Sequence, residues 1–232
     1  GRVPAMPSAP AGIDTDTWYP AKKAMSDWWV DRMAAASWLG PATGPSPLVE
    51  KQALFWHSHF ACGTSQVFQF RALWRQLRTF YRRGLGDFET LTSEVMTDGA
   101  MLVYFSNHVN RKGREQENLA RELMELHTIG VGNFTEADVI AMAKAWTGYG
   151  VVKAFGANAD LTPRFTGTEH DGSRKALFGL QPRRWKGPNT IPELVNGVKQ
   201  PHTARFISTK LWRYYVGDEP SAGEIEDLAA VM

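Results

Sequence analysis

Residues 117–132 read Glu117-Asn118-Leu119-Ala120-Arg121-Glu122-Leu123-Met124-Glu125-Leu126-His127-Thr128-Ile129-Gly130-Val131-Gly132. At about 100° per residue, Glu117, Arg121 and Glu125 stack on one face of a helix with Thr128 beside them. Leu119, Leu123 and Leu126 form the opposite face, and Glu122 and His127 fall on the flanks. The spacing predicts an amphipathic helix over Glu117 to Ile129, stopped by Gly130 and Gly132. A second helix is expected from Thr135 to Trp146, because Thr135 and Asp138 stand three apart as a capping box. Gly148 and Gly150 end it.

Working outward, the same periodicity predicts helices over Ala21 to Leu39, Pro47 to Phe60 and Gln66 to Arg83. Shorter ones are expected at Asp87 to Thr97 and Ala100 to Asn107, before a charged turn at Arg111 to Glu115. From Gly150 to Pro192 the apolar period disappears and Gly, Pro and Asn recur. This reads as a loop-rich insertion in which Val151 to Phe155 and the stretch around Arg164 to Thr166 pair as short strands. Helices resume at Ile191 to Val198, His202 to Tyr215 and Ala222 to Met232. The expected fold is mainly α, a multi-helix globular domain with about ten helices and a small β-hairpin in its insertion. Residues 1–20 form a Pro-rich extended arm, and residues 21–232 form a single domain. The chain starts at Gly1 and stops at Met232 inside a helical pattern, so both ends read as truncations.

Of the 232 residues, 43% are hydrophobic and 22% charged, an ordinary globular composition that excludes wholesale disorder. With 26 basic and 24 acidic residues the net charge is +2, too balanced to argue for nucleic acid. No run approaches the roughly 18 apolar residues of a membrane span. The single cysteine, Cys62, excludes an intrachain disulfide and a Cys-based zinc site. Glycine-rich nucleotide loops, the Gly-x-Ser-x-Gly elbow and the His-Glu-x-x-His zinc motif are all absent.

Several stretches together resemble the bacterial DUF1800 family: Leu54-Phe55-Trp56-His57-Ser58-His59-Phe60, the 117–132 block, Phe134-Thr135-Glu136-Ala137-Asp138-Val139 and Trp146-Thr147-Gly148-Tyr149. His170-Asp171-Gly172 with Lys175 and Gly179, and Pro201-His202-Thr203-Ala204, complete the set. Order and spacing match from about Trp28 to Pro220. The family usually has Asn-Glu-Asn-Tyr where this chain has Gln116-Glu117-Asn118-Leu119, so any role of that Tyr hydroxyl is absent here. The resemblance implies an exported bacterial protein, often encoded beside another exported family, DUF1501, which makes a DUF1501-like protein the expected partner. It implies no reaction.

Chemistry-bearing groups admit two readings each. Glu117, Arg121, Glu122 and Glu125 are a solvent ladder on an amphipathic helix, or a buried polar face where a carboxylate held by Arg121 does acid–base work. Glu125 and His127 are two apart, about 200° around a helix, which argues against a ferritin-like di-iron site. His57 and His59 are likewise two apart, in aromatic company. His57, His59 and His127 are the candidate ligands for a divalent metal ion, the one cofactor these residues suggest, against the plainer reading of buried histidines in hydrogen bonds. His170 and Asp171, with Lys175 close by, are a turn or a loop-delivered catalytic pair. Arg71, Arg75, Arg78 and Arg82 line one helical face, either solvated or a binding surface for an anionic partner. A thiol among apolar neighbours, as at Cys62, should stay protonated and inert. Three functions follow as expectations: a binding or scaffold component of a larger exported assembly, an exported enzyme with a Glu/Arg/His site that is metal-dependent in one form, and an anion-binding surface protein.

Overall fold

The computed structural model describes residues 9–11, 18–37, 45–152 and 160–231. Most of the Pro-rich arm, part of the loop after the first helix and the end of the first expected strand lie outside the described residues. Among those described are ten α-helices and one small two-stranded antiparallel sheet, so the fold is mainly α with a β-hairpin. No helix among them is long and apolar enough to cross a membrane. The chain divides into two compact units, Gly1–Tyr104 with Gly150–Phe165, and Phe105–Tyr149 with Thr166–Met232. The insertion is therefore shared: its hairpin half belongs to the first unit and its remainder to the second.

The first unit holds α1 (Trp18–Ala34), α2 (Pro47–His59), α3 (Phe70–Arg83), α4 (Phe88–Met96), α5 (Gly99–Tyr104) and the hairpin, whose strands are β1 (Tyr149–Val152) and β2 (Thr162–Phe165). Helix α3 packs against α1, α2, α4 and α5. It buries Phe70, Leu73, Trp74, Leu77, Phe80 and Tyr81, as its apolar period requires. It starts four residues later than expected, because the amides of Gln66 and Val67 bond back to Gly63 O in a tight turn. Trp28 of α1 meets Trp74 edge-on at 4.5 Å. Trp56 of α2 donates from its indole to Gly84 O at 2.8 Å, fixing the end of α3. A charged group lies inside this unit: Glu50 of α2 is 3% exposed. It is met by Arg32 of α1 at 2.8 Å and by the Tyr81 hydroxyl of α3. Burial raises the Glu50 carboxyl above its ordinary value, against the lowering influence of Tyr81 and Arg32.

The second unit holds α6 (Asn118–Glu125), α7 (Glu136–Ala145), α8 (Ile191–Val195), α9 (Gln200–Tyr215) and α10 (Ala222–Ala229). Helix α6 packs on α7, and α9 packs on both α8 and α10. The expected Thr135–Asp138 capping box starts α7, and Ser221 with Glu224 forms another at α10. The polar loop before α6 closes the far end of α7. Asn110 donates to Ala143 O at 2.9 Å, and Asn107 donates to Trp146 O at 3.1 Å and Tyr149 O at 2.8 Å. These amides satisfy carbonyls that a helix end leaves open.

Gly99, at the start of α5, lies against the residue before β2, and an added Cβ there would clash with Leu161 O. Backbone on backbone leaves nothing to rotate away. Gly99→Ala is expected to destabilise the protein by about 3 kcal/mol or more, whereas Gly172→Ala, with open space around its Cβ, should stay within about 0.5 kcal/mol. Urea unfolding of both variants checks this.

Candidate functional site

The 117–132 block is shorter as a helix than its periodicity predicts. Helix α6 ends at Glu125, because the amides of Ile129 and Gly130 both turn back to Met124 O, at 2.9 and 3.0 Å. This reversal needs the left-handed backbone at Gly130, φ 76°. It moves Leu126 off its expected core face and takes His127 from an expected flank into the interior. Leu126, expected on the core face, is 47% exposed, and His127 is 3% exposed against the Phe105 ring at 5.7 Å. Thr128 is buried and donates to Leu123 O at 2.6 Å.

The loop after Gly130 is clamped onto α9. Lys210 donates to Leu126 O at 3.0 Å, and Lys199 donates to Asn133 O at 2.7 Å. Asn133 in turn donates to Ile129 O at 2.7 Å. A Cβ at Gly130 would meet the Phe206 ring at 3.0 Å. Held this way, Val131 points outward, 75% exposed.

Two clefts open on either side of the clamped loop and share Asn133 and His202. One, of about 340 Å³, lies between Gly130 and Val131 and the α9 residues Arg205, Phe206, Lys210 and Arg213. The other, of about 500 Å³, lies between Phe134, Asp138, Phe178, Gly179 and Lys199. Arg205, Lys210 and Arg213 of α9 line them together with His202, and Lys199 stands just before the helix. Burial, with the positive charges of Lys199 and Arg205, holds the His202 imidazole below its ordinary value. Burial also lowers the Lys210 ammonium. Lys210 lies 4.4 Å over the Phe206 ring and Lys199 5.3 Å over the Phe178 ring. Asp138 is committed: one oxygen caps α7 through Thr135, and the other accepts from Phe178 N at 2.6 Å.

The loop-borne pair His170 and Asp171 is bound to Thr147. His170 Nδ1 lies 3.0 Å from Thr147 O, and Asp171 N donates to Thr147 Oγ1 at 2.8 Å. Lys175, 5% exposed, donates to Asp171 O and Ser173 O. The buried Trp185 indole donates to Lys175 O at 3.0 Å. Burial alone would raise the Asp171 carboxyl, but hydrogen bonds from Ser173 and the charge of Lys175 outweigh it and hold it below its ordinary value.

The remaining candidates lie apart. Arg121 grips Glu136 with both guanidinium ends, at 2.8 and 2.7 Å, and reaches Glu117 at 3.5 Å, all toward solvent. Burial first, then the nearby Glu125, raises the Glu122 carboxyl. His57 sits edge-on to Trp29 at 4.8 Å, whereas His59 packs on Phe60 and Phe88, so the two rings face different neighbours as helical spacing requires. Among the described residues no group of three or more His, Cys, Asp or Glu could hold a metal ion. Within the arginine row, Arg75 pairs with Asp160, and Arg82 pairs with Glu94, as does the adjacent Arg83. Burial pushes the Cys62 thiol up to about 12, in line with an inert thiol.

A family model described as Protein of unknown function (DUF1800) matches residues 8–232, and the chain belongs to that family. No curated protein and no solved structure matches it. His202 stands out in the sequence only within the Pro201-His202-Thr203-Ala204 stretch, and Lys199, Lys210 and Asn133 do not stand out as site residues. Their signal was present: His202, Phe206, Lys210 and Arg213 recur at helical spacing.

Two outcomes are expected. Gly130→Ala meets both the left-handed penalty and the Phe206 ring and should cost about 2–3 kcal/mol, while Gly132→Ala, with open space around it, should cost about 1–2 kcal/mol. Thermal unfolding separates the two. Because the Asp171 carboxyl is depressed on folding, its contribution is present above the unfolded value and lost as pH falls through the folded one. Amide protection factors of 171–175 should hold down to about pH 4 and decline below it.

Proposed function

We propose that this chain is a binding module, an exported component of a larger assembly, and that the two clefts of the second unit are where it holds its partner. One observation carries the reading: four of the stretches that mark the family meet in the cleft walls. They contribute Ile129-Gly130-Val131-Gly132, then Phe134, Thr135, Ala137 and Asp138, then Gly179, and His202. The other polar groups of those stretches support it by acting as ties. Arg121 is spent on Glu136, and Thr147 on His170 and Asp171, which leaves the exposed Val131 beside the clefts as the recognition surface. A rigid loop with an outward apolar tip beside an open cleft suits protein recognition, where ordering costs are met before binding. The family resemblance makes a DUF1501-like exported protein the partner to try first.

Val131→Asp tests the reading without touching the core. Binding of the DUF1501-like protein to the immobilised full chain, followed by interferometry, is expected to weaken about tenfold or more. The unfolding temperature should be unchanged. Undiminished binding by the variant would remove the clefts as the partner surface.

A further inference from the structure

Within the second unit, Lys175 and Arg183 exchange both backbone hydrogen bonds, at 2.9 and 3.2 Å, as an antiparallel bridge. The loop between them turns at Phe178 and Gly179, φ 55° and 75°, and Leu180 N closes it by donating to Leu177 O at 2.8 Å. The inner face of this ribbon is anchored: Lys175 and Trp185 are buried, and the Trp185 indole donates to Lys175 O. One step outside the bridge, on either arm, stand Arg174 and Arg184, both exposed. In antiparallel register the residues next to a bridged pair oppose one another, on the other face of the ribbon from that pair. The two arginines therefore share the outer face. Like charges directly opposite one another destabilise a strand pair. The local carboxylates are engaged elsewhere. Residues 166–190 carry five Lys and Arg against two acids. Glu169 goes to Arg111, and Asp171 goes to Ser173 N and Lys175. The next acid along the chain, Glu193, goes to Arg183. Among the described residues neither Arg174 nor Arg184 makes an ion pair.

We infer that Arg174 and Arg184 together bind a phosphate group, one guanidinium fork on either side of it. Each planar fork offers paired N–H donors to the oxyanion, whose negative charge removes the repulsion between the two arms. The bridge and the buried Trp185 fix where the arms leave the backbone before the anion arrives, which limits the ordering that binding must offset. Neither arginine lines the two clefts, and the inference stands apart from the binding-module reading.

The test follows the arginine side-chain Nε–Hε signals of the isotope-labelled full chain by NMR as inorganic phosphate is added at constant ionic strength. The Arg174 and Arg184 signals are expected to shift together and saturate at millimolar phosphate, while chloride at equal ionic strength leaves them in place. Arg184→Gln should abolish saturation at Arg174, with signals elsewhere unmoved, and Arg184→Lys should weaken binding severalfold, since an ammonium lacks the fork. A linear, unsaturating response, equal shifts in chloride, or an unchanged Arg174 response in Arg184→Gln overturns the inference. Cosedimentation with phosphatidylglycerol vesicles distinguishes the source of the phosphate. Vesicle binding that free phosphate displaces supports a lipid headgroup, and a saturating response without vesicle binding supports the free ion. Vesicle binding with no saturating response to free phosphate overturns the two-arginine site and leaves only a charged surface.

Discussion

At φ 76°, Gly130 turns the backbone where a side chain would strike Phe206 at 3.0 Å. Three features of the second unit follow from that one residue. Helix α6 stops at Glu125, with two amides returning to Met124 O. His127 and Thr128 are carried into the interior. The following loop lies flat enough on α9 for Lys210 and Lys199 to clamp its carbonyls at Leu126 and Asn133. An L-residue there would meet steric strain in the backbone and in the packing at once.

The rest of the unit is tied by polar groups that would cost free energy if left open inside. Asn107 and Asn110 close the end of α7, Asp138 opens it and also holds Phe178 N, and Lys175 gathers the carbonyls of its own loop. Irregular backbone survives inside a helical unit only where each buried group finds such a partner. Ala176, Phe178 and Gly179 of the 166–190 segment therefore form a wall of the larger cleft. In the first unit the corresponding polar tie is Glu50, joining α1, α2 and α3 through Arg32 and Tyr81. Removing either partner would strand a buried charge.

Much of this was legible in the chain. Helical periods placed α2, α4, α7 and α9 within a few residues, the Thr135–Asp138 box marked its helix start, and the break in periodicity at Gly150 located the hairpin. The candidate polar groups were legible as types but not as neighbours. Arg121 could be assigned to Glu117 by its helical spacing, whereas its bidentate partner, Glu136, lies on the next helix. Thr147 and Asp171 are 24 residues apart, and no local spacing announces their bond.

The sequence by itself determined the helical class, the family and the positions of the glycine stops, because period, capping and left-handed turns are properties of a few adjacent residues. The tertiary structure decided whether Leu126 and His127 face the core, which residues line the clefts and which carboxylate each arginine meets. Those outcomes depend on where separate elements cross, and a helix's own residues carry its faces but not the identity of what packs on them.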